Sequence, residues 1–285
     1  MAIEIVSPGL QTTVQDEGRT GTYAAGLPPS GAMDKHAYRI GNLLVGNPAG
    51  AAGLEMTYLG VELTFTEPTV FAVTGGEMGP KRNGEAIETW RSYTAAAGDT
   101  LGFGYLTDGA RTYLSVAGGI DVPEYERSRS TYTLVGLGGF QGRALVAGDR
   151  LAVGAGVDGT PDRVVPDELR PRYGRETELR VVVGLASYRL EPESLAALFE
   201  TTWTVTNDAN RVGYRYRGVE LRFRERVQPV GAGSDPSNVV DFGYPVGSLQ
   251  VPGGVEPIAL LNDAVTGGGY ATVATIISVD LDRLG

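Results

Sequence analysis

Between residues 54 and 154 short apolar runs recur roughly every ten residues, and glycine separates most of them. The runs read LEMTYL, VELTF, TVFAV, ETWRSYTA, TLGFGYL, RTYLSVAG, RALVA and RLAVG. A strand of about five or six residues and its turn fit that spacing, whereas a helix does not. The 42 glycines supply the positive-φ positions that so many turns need. The pattern predicts an all-β protein built as a barrel or sandwich, with only a few short helices.

Two helices are expected. DKHAYRIGNLLV (34–45) carries Asp34 as N-cap, and Ala37, Ile40, Leu43 and Leu44 lie at helical spacing. Gly46-Asn47-Pro48 stops it. Gly41, inside this helix, costs about 1 kcal/mol relative to alanine unless close packing requires it. EPESLAALFETT predicts a second short helix with proline in its first turn. After the prolines at 161, 166 and 171, the runs ELRVVVGL, WTVT, GVELRF, SLQV, PIALL and ATVATIISV read as further strands. The expected organisation is a first lobe over 1–160, a linker over 161–178 and a second lobe over 179–285.

Composition removes several chemistries. There is no cysteine, so thiolate metal sites and thiol nucleophiles are absent. His36 is the sole histidine, and its place on an exposed helical position suits a surface residue. No metal site is expected on the chain itself. Proton transfer falls to Asp, Glu, Tyr or the two lysines, Lys35 and Lys81. A net charge of −10 disfavours nucleic acid as a partner. The same acidity also fits a protein kept hydrated at high salt. No apolar run approaches the roughly 20 residues of a membrane helix, and MAIEIVSPG has no signal-peptide pattern, so a cytoplasmic location is expected.

The densest motifs lie between Val14 and Glu55. They are VQDEGRTG (14–21), SGAMD (30–34) and NLLVGNP (42–48). GGIDVP (118–123), SRSTY (128–132), GGFQGRAL (138–145), NRVGYR (210–215), GSLQVP (247–252) and DAVTGGGY (263–270) follow in order. In these motifs the chain resembles the biotin-dependent carboxyltransferase family, which includes allophanate hydrolase subunit 2, the carboxyltransferase part of urea amidolyase and the C subunit of 5-oxoprolinase. It looks most like the last of these. The resemblance implies two cyclophilin-like β-barrel lobes, with one further strand beyond Gly285. It also implies work beside two partners of the same complex, a B-like protein and an A-like one, opening the lactam of 5-oxoproline to glutamate. ATP with Mg would drive that step, shared with one of those partners.

Candidate residues follow from chemistry within these motifs. Asp16 and Arg19 share a glycine-rich loop, where the guanidinium can bind an anion and Asp16 can orient it. Glu55 reads as a buried carboxylate of raised pKa, or as the ion-pair partner of Arg39. Asp263 opens the glycine-rich stretch and completes the expected catalytic set of Asp16, Arg19, Glu55 and Asp263. Substrate binding is assigned to Arg39, Asn42, Asn47, Arg211, Gln250, Thr266 and Tyr270. The amide of Gln250 suits an amide or lactam, and glycines 267–269 let main-chain N–H groups approach an anion.

Two departures bear on function. The family pattern D-R-Q-T-T-G-G-Y-P is replaced by DAVTGGGYA, so Ala264 and Val265 stand at the arginine and glutamine positions. That change also fits a regulatory protein whose partner is a B-like protein resembling a histidine-kinase inhibitor. No phosphate-loop motif is present; the nearest stretch, GGEMGPK (75–81), lacks its Gly-Lys-Ser/Thr ending. A third reading is the carboxyltransferase component of a urea or amide carboxylase. Biotin would then arrive on another protein, because no biotin-carrier lysine motif is present.

Overall fold

The computed structural model describes residues 1–155 and 159–285. Among these residues the chain is β-rich, with two α-helices, Lys35–Leu44 (α1) and Pro192–Glu200 (α2), and several 3-10 turns. It divides into two compact units that are not contiguous in sequence. The first holds Met1–Thr20, Ser30–Thr177 and Asp282–Gly285; the second holds Gly21–Pro29 and Glu178–Leu281. The proline-rich stretch marked as a linker packs into the first unit as far as Thr177. Val165 is buried there, and the Tyr173 hydroxyl donates to Asp34 at 2.6 Å. Proline spacing reports irregular backbone, and irregular backbone can be packed as well as free.

The first unit has two antiparallel sheets. One runs in the order Arg150–Ala152, Ala2–Ser7, Glu62–Phe65, Thr100–Gly102, Lys81–Arg82, Glu85–Ala86. The other runs Gln11–Gln15, Gly53–Thr57, Asp108–Val116, Thr69–Glu77, Arg91–Ala95. Their facing side chains make one core, with Ile3, Ile5, Leu63 and Phe65 from the first sheet and Leu54, Met56, Phe71, Val73 and Leu114 from the second. Strand Thr69–Glu77 is buried on both sides. Phe71 and Val73 enter that core, while Val70 and Ala72 pack beneath α1 with Ala37, Tyr38 and Leu44. The period of two in a strand sends alternate residues to opposite faces, so a strand between two layers carries apolar residues on both faces.

α1 forms as its sequence dictates. Asp34 Oδ1 accepts from the Ala37 N–H at 2.9 Å, capping the helix. The buried face is Ala37, Tyr38, Gly41, Asn42 and Leu44. Leu43, expected on that face, is 54% exposed because it lies off the 37–38–41 row. Gly41 is explained by packing: a Cβ there would lie 2.7 Å from Ser115 Oγ and 2.8 Å from Thr74 Oγ1, on the two central strands.

The second unit has a six-stranded antiparallel sheet, in the order Val181–Val183, Thr272–Ile276, Ser248–Gln250, Ile258–Leu260, Gly213–Arg217, Thr204–Ala209. A separate ribbon pairs Asn238–Gly243 with Gly267–Tyr270. The run GVELRF forms no strand and contributes one bridge, Phe223 to Leu190; RALVA forms none. Among the described residues no sheet closes on itself into a barrel. Among them, too, no helix is long and apolar enough to cross a membrane.

Candidate functional site

Motifs far apart in sequence meet in the first unit. Strand Gln11–Gln15 delivers Asp16 to a loop where its carboxylate is fully used. Oδ1 accepts from Gly18 N and Ser128 Oγ, at 2.8 and 2.7 Å, and from Ser130 Oγ; Oδ2 accepts from Arg129 N. Gln15 donates to Thr13 Oγ1 and to the Thr131 carbonyl, and accepts from Gly31 N. Arg19, 1% exposed, donates to the Ser130 carbonyl, and its guanidinium lies over the Tyr125 ring at 5.8 Å. Gly138 has φ +65°, and a Cβ there would collide with Arg19 Nη2. The Asp16 carboxylate, accepting four hydrogen bonds, therefore ties its own loop to the 128–130 loop.

Beside this knot lies a buried proton network. Glu55, 1% exposed, accepts from Met33 N at 2.9 Å and Tyr113 Oη at 2.8 Å, and pairs with Arg111 Nε at 3.5 Å. The expectation of an Arg39 partner is corrected. Arg39 reaches Glu17 instead, in a bidentate pair at 2.6 and 2.7 Å on the solvent side of α1. The exposed face of a helix cannot reach a carboxylate beneath it. Burial, first of all, pushes the Asp34 carboxyl up to about 6, against the opposing pull of the Ala37 N–H and the Tyr173 hydroxyl.

Asn42 and Asn47 clamp main chain rather than line an opening. Asn42 Nδ2 donates to the Ala49 and Ala51 carbonyls, and its Oδ1 accepts from Asn47. Asn47 completes the clamp with the Val116 carbonyl and Gly118 N, both at 2.8 Å. His36 is exposed on α1, as expected. Gly75 and Gly76 lie in a strand, where Cβ atoms would press on the carbonyls of Arg111 and Asp108, so they form no loop that could cradle a triphosphate.

In the second unit Arg211 and Asp263 form a buried bidentate pair, Nε to Oδ2 at 2.8 Å and Nη2 to Oδ1 at 3.2 Å. Gln250 lies across from Thr272 and Ile258 on neighbouring strands. It is 4% exposed, and its Nε2 makes no well-formed hydrogen bond, although it lies near enough to Tyr244 to oppose the upward push of burial on that phenol. Thr272 Oγ1, opposite, is also buried without a partner. The Tyr244 hydroxyl clasps the Tyr270 main chain, accepting from its N–H at 2.7 Å and donating to its carbonyl at 3.0 Å. The Thr266 carbonyl accepts from Tyr244 N at 2.8 Å.

The three glycines expected to form an anion-binding turn are instead strand residues of the ribbon. A Cβ at Gly268 would lie 3.1 Å from the Tyr244 ring, so glycine there lets the ribbon seat on that ring. Ala264 is buried with Tyr244 and Leu260 in an apolar cluster, while Val265 is exposed. Sequence reading missed Tyr113, Arg111, Tyr173 and Tyr244. All four are ordinary strand or loop residues whose partners lie far away in sequence.

The arrangement is thus two β units with buried polar clusters on motif residues, and the comparisons match it to one family. The chain belongs to the family described as carboxyltransferase domain, subdomain A and B, whose pattern matches residues 25–285. It is 36% identical over 290 residues to a putative urea carboxylase of Emericella nidulans, covering 100% of this chain and 23% of that protein. It is 35% identical over 282 residues to the C subunit of 5-oxoprolinase from Escherichia coli K12, covering 99% of this chain and 86% of that protein. The crystal structure of the Kluyveromyces lactis urea carboxylase matches with a TM-score of 0.92 at 34% identity, covering 100% of this chain and 26% of that one. The chain therefore spans about a quarter of the urea carboxylases it matches.

Proposed function

We propose that the chain is one component of an ATP-dependent 5-oxoprolinase complex, hydrolysing 5-oxoproline to glutamate beside B-like and A-like partners. One observation carries the reading: the identity to the C subunit of 5-oxoprolinase extends over 99% of this chain and 86% of that protein. A shared active site fits the side chains present. Asp16, Glu55 and Asp263 are each held by buried hydrogen bonds or ion pairs, which suits positioning more than proton shuttling. Gln250, with a donor to spare, is the group suited to a lactam amide, and Thr266 and Tyr270 stand in the same framework. A lactam carbonyl is a poor electrophile, and ATP would activate it by phosphorylation. The sequence carries no phosphate-loop motif, which supports a site for ATP and Mg shared with a partner.

A second reading, the carboxyltransferase component of a urea or amide carboxylase with biotin on another protein, is favoured by the TM-score of 0.92. The test is reconstitution with the neighbouring subunits. ATP-dependent glutamate release from 5-oxoproline supports the first reading. Carboxyl transfer from carboxybiotin to urea, without glutamate release, contradicts it and supports the second. A tight but inert complex contradicts both and fits a regulatory protein.

A further inference from the structure

One buried cation of the second unit has no counter-charge. Arg189 ends the 3-10 turn Ser187–Arg189 and is 3% exposed. Its Nη2 donates to the Pro236 carbonyl at 2.7 Å and lies 3.4 Å from Gln228 Oε1. Its Nε and Nη1 are buried without a hydrogen-bond partner. Among the described residues no carboxylate pairs with it. Asp235, next to the Pro236 whose carbonyl Arg189 contacts, turns Oδ1 to Ser237 N and Oγ at 2.8 and 2.6 Å. Burial first, and then the like charge of Arg226, pull the Arg189 pKa down. The contrast with Arg211 on Asp263 and Arg111 on Glu55 is direct, since both of those buried guanidiniums have a carboxylate. Burying a cation without an anion is unfavourable, so a position that keeps one suits an anion supplied from outside.

The segment over Arg189 lies outside the regular strands of the second unit. Residues 228–236 form neither helix nor strand, and Val227 and Val230 project into solvent. The segment also leads to Gln250 and Tyr270: Ser237 Oγ accepts from Gly253 N at 3.0 Å, and the Ser237 carbonyl accepts from Ala271 N at 3.0 Å.

We propose that Arg189, with Gln228 and Arg226 beside it, binds a small carboxylate. A planar guanidinium matches a carboxylate. One fully buried cation balances one negative charge, while the exposed Arg226 is screened by solvent and adds less. The second unit contains no lysine to help neutralise a dianion. The site is read by binding to this chain alone, so its failure is separate from any failure of the complex to turn over 5-oxoproline.

The test is titration calorimetry of the full chain at constant ionic strength with acetate, 5-oxoproline, the neutral lactam 2-pyrrolidinone, and sulfate. The expected result is saturable binding of both carboxylates, none of 2-pyrrolidinone and weaker binding of sulfate. Arg189→Gln should weaken acetate binding about tenfold or more. Arg226→Gln, at an exposed position, keeps the fold and should weaken it about two- to threefold. No carboxylate binding, sulfate binding at least as tight, or unchanged acetate affinity in either variant would overturn the proposal.

Discussion

Tyr113 donates its phenolic proton to Glu55 Oε2 at 2.8 Å, and both side chains are 1% exposed. The same phenolic oxygen accepts the main-chain N–H of Asp34, also at 2.8 Å. One hydroxyl thus serves a strand carboxylate and the N-cap of α1. Burial, then the neighbouring Glu55 charge, push the Tyr113 pKa well up, so the phenol keeps its proton and remains a donor. Tyr113→Phe strips Asp34 N of its acceptor and Glu55 of a donor. Urea unfolding at pH 7 should show a loss of about 1–3 kcal/mol. A stability equal to wild type would mean that the network contributes nothing.

Asp34 gives a pH signature. Its carboxyl is pushed up to about 6 from 3.8, with burial the leading cause. Between those values the native state holds a proton that the unfolded chain has released. Stability therefore falls as pH rises from about 4 to about 6, by about 3 kcal/mol in this group's share. Asp34→Asn preserves an N-cap acceptor and removes the titration. Wild-type stability minus that of the variant should decline across this window and level off above it. A difference that stays flat, or rises with pH, contradicts the assignment.

Asp263 holds Arg211 in a buried bidentate pair. Asp263→Asn should destabilise the fold by about 3–5 kcal/mol, because it leaves a buried guanidinium without its anion. The double variant Arg211→Met with Asp263→Leu should recover much of that loss. A double variant as unstable as the sum of its two single changes would show that the pair does not act as a unit.

Local chemistry made part of this structure legible in advance. Asp34 and Gly46 bound α1, and Pro192 begins α2, because caps and proline act within a few residues. Gly41 announced a close strand, though which strand required the fold. Glu55 shows the limit: its burial between Leu54 and Met56 could be read, but its partners Tyr113 and Arg111 sit more than fifty residues away. Glycines 267–269 depart from the expected turn for a related reason. A glycine run reads as a turn unless the partner strand Asn238–Gly243 and the ring of Tyr244 are known. Arg189 gave no sequence signal, since an arginine's lack of a counter-charge appears only when its neighbours are in place.

The central claim is best tested by the initial rate of glutamate release from 5-oxoproline and ATP by the reconstituted complex, measured with and without this chain. Turnover that requires both ATP and this chain, with no product from the chain alone, is the predicted result. Equal glutamate release when the chain is omitted, or none when every component and ATP are present, would contradict the account.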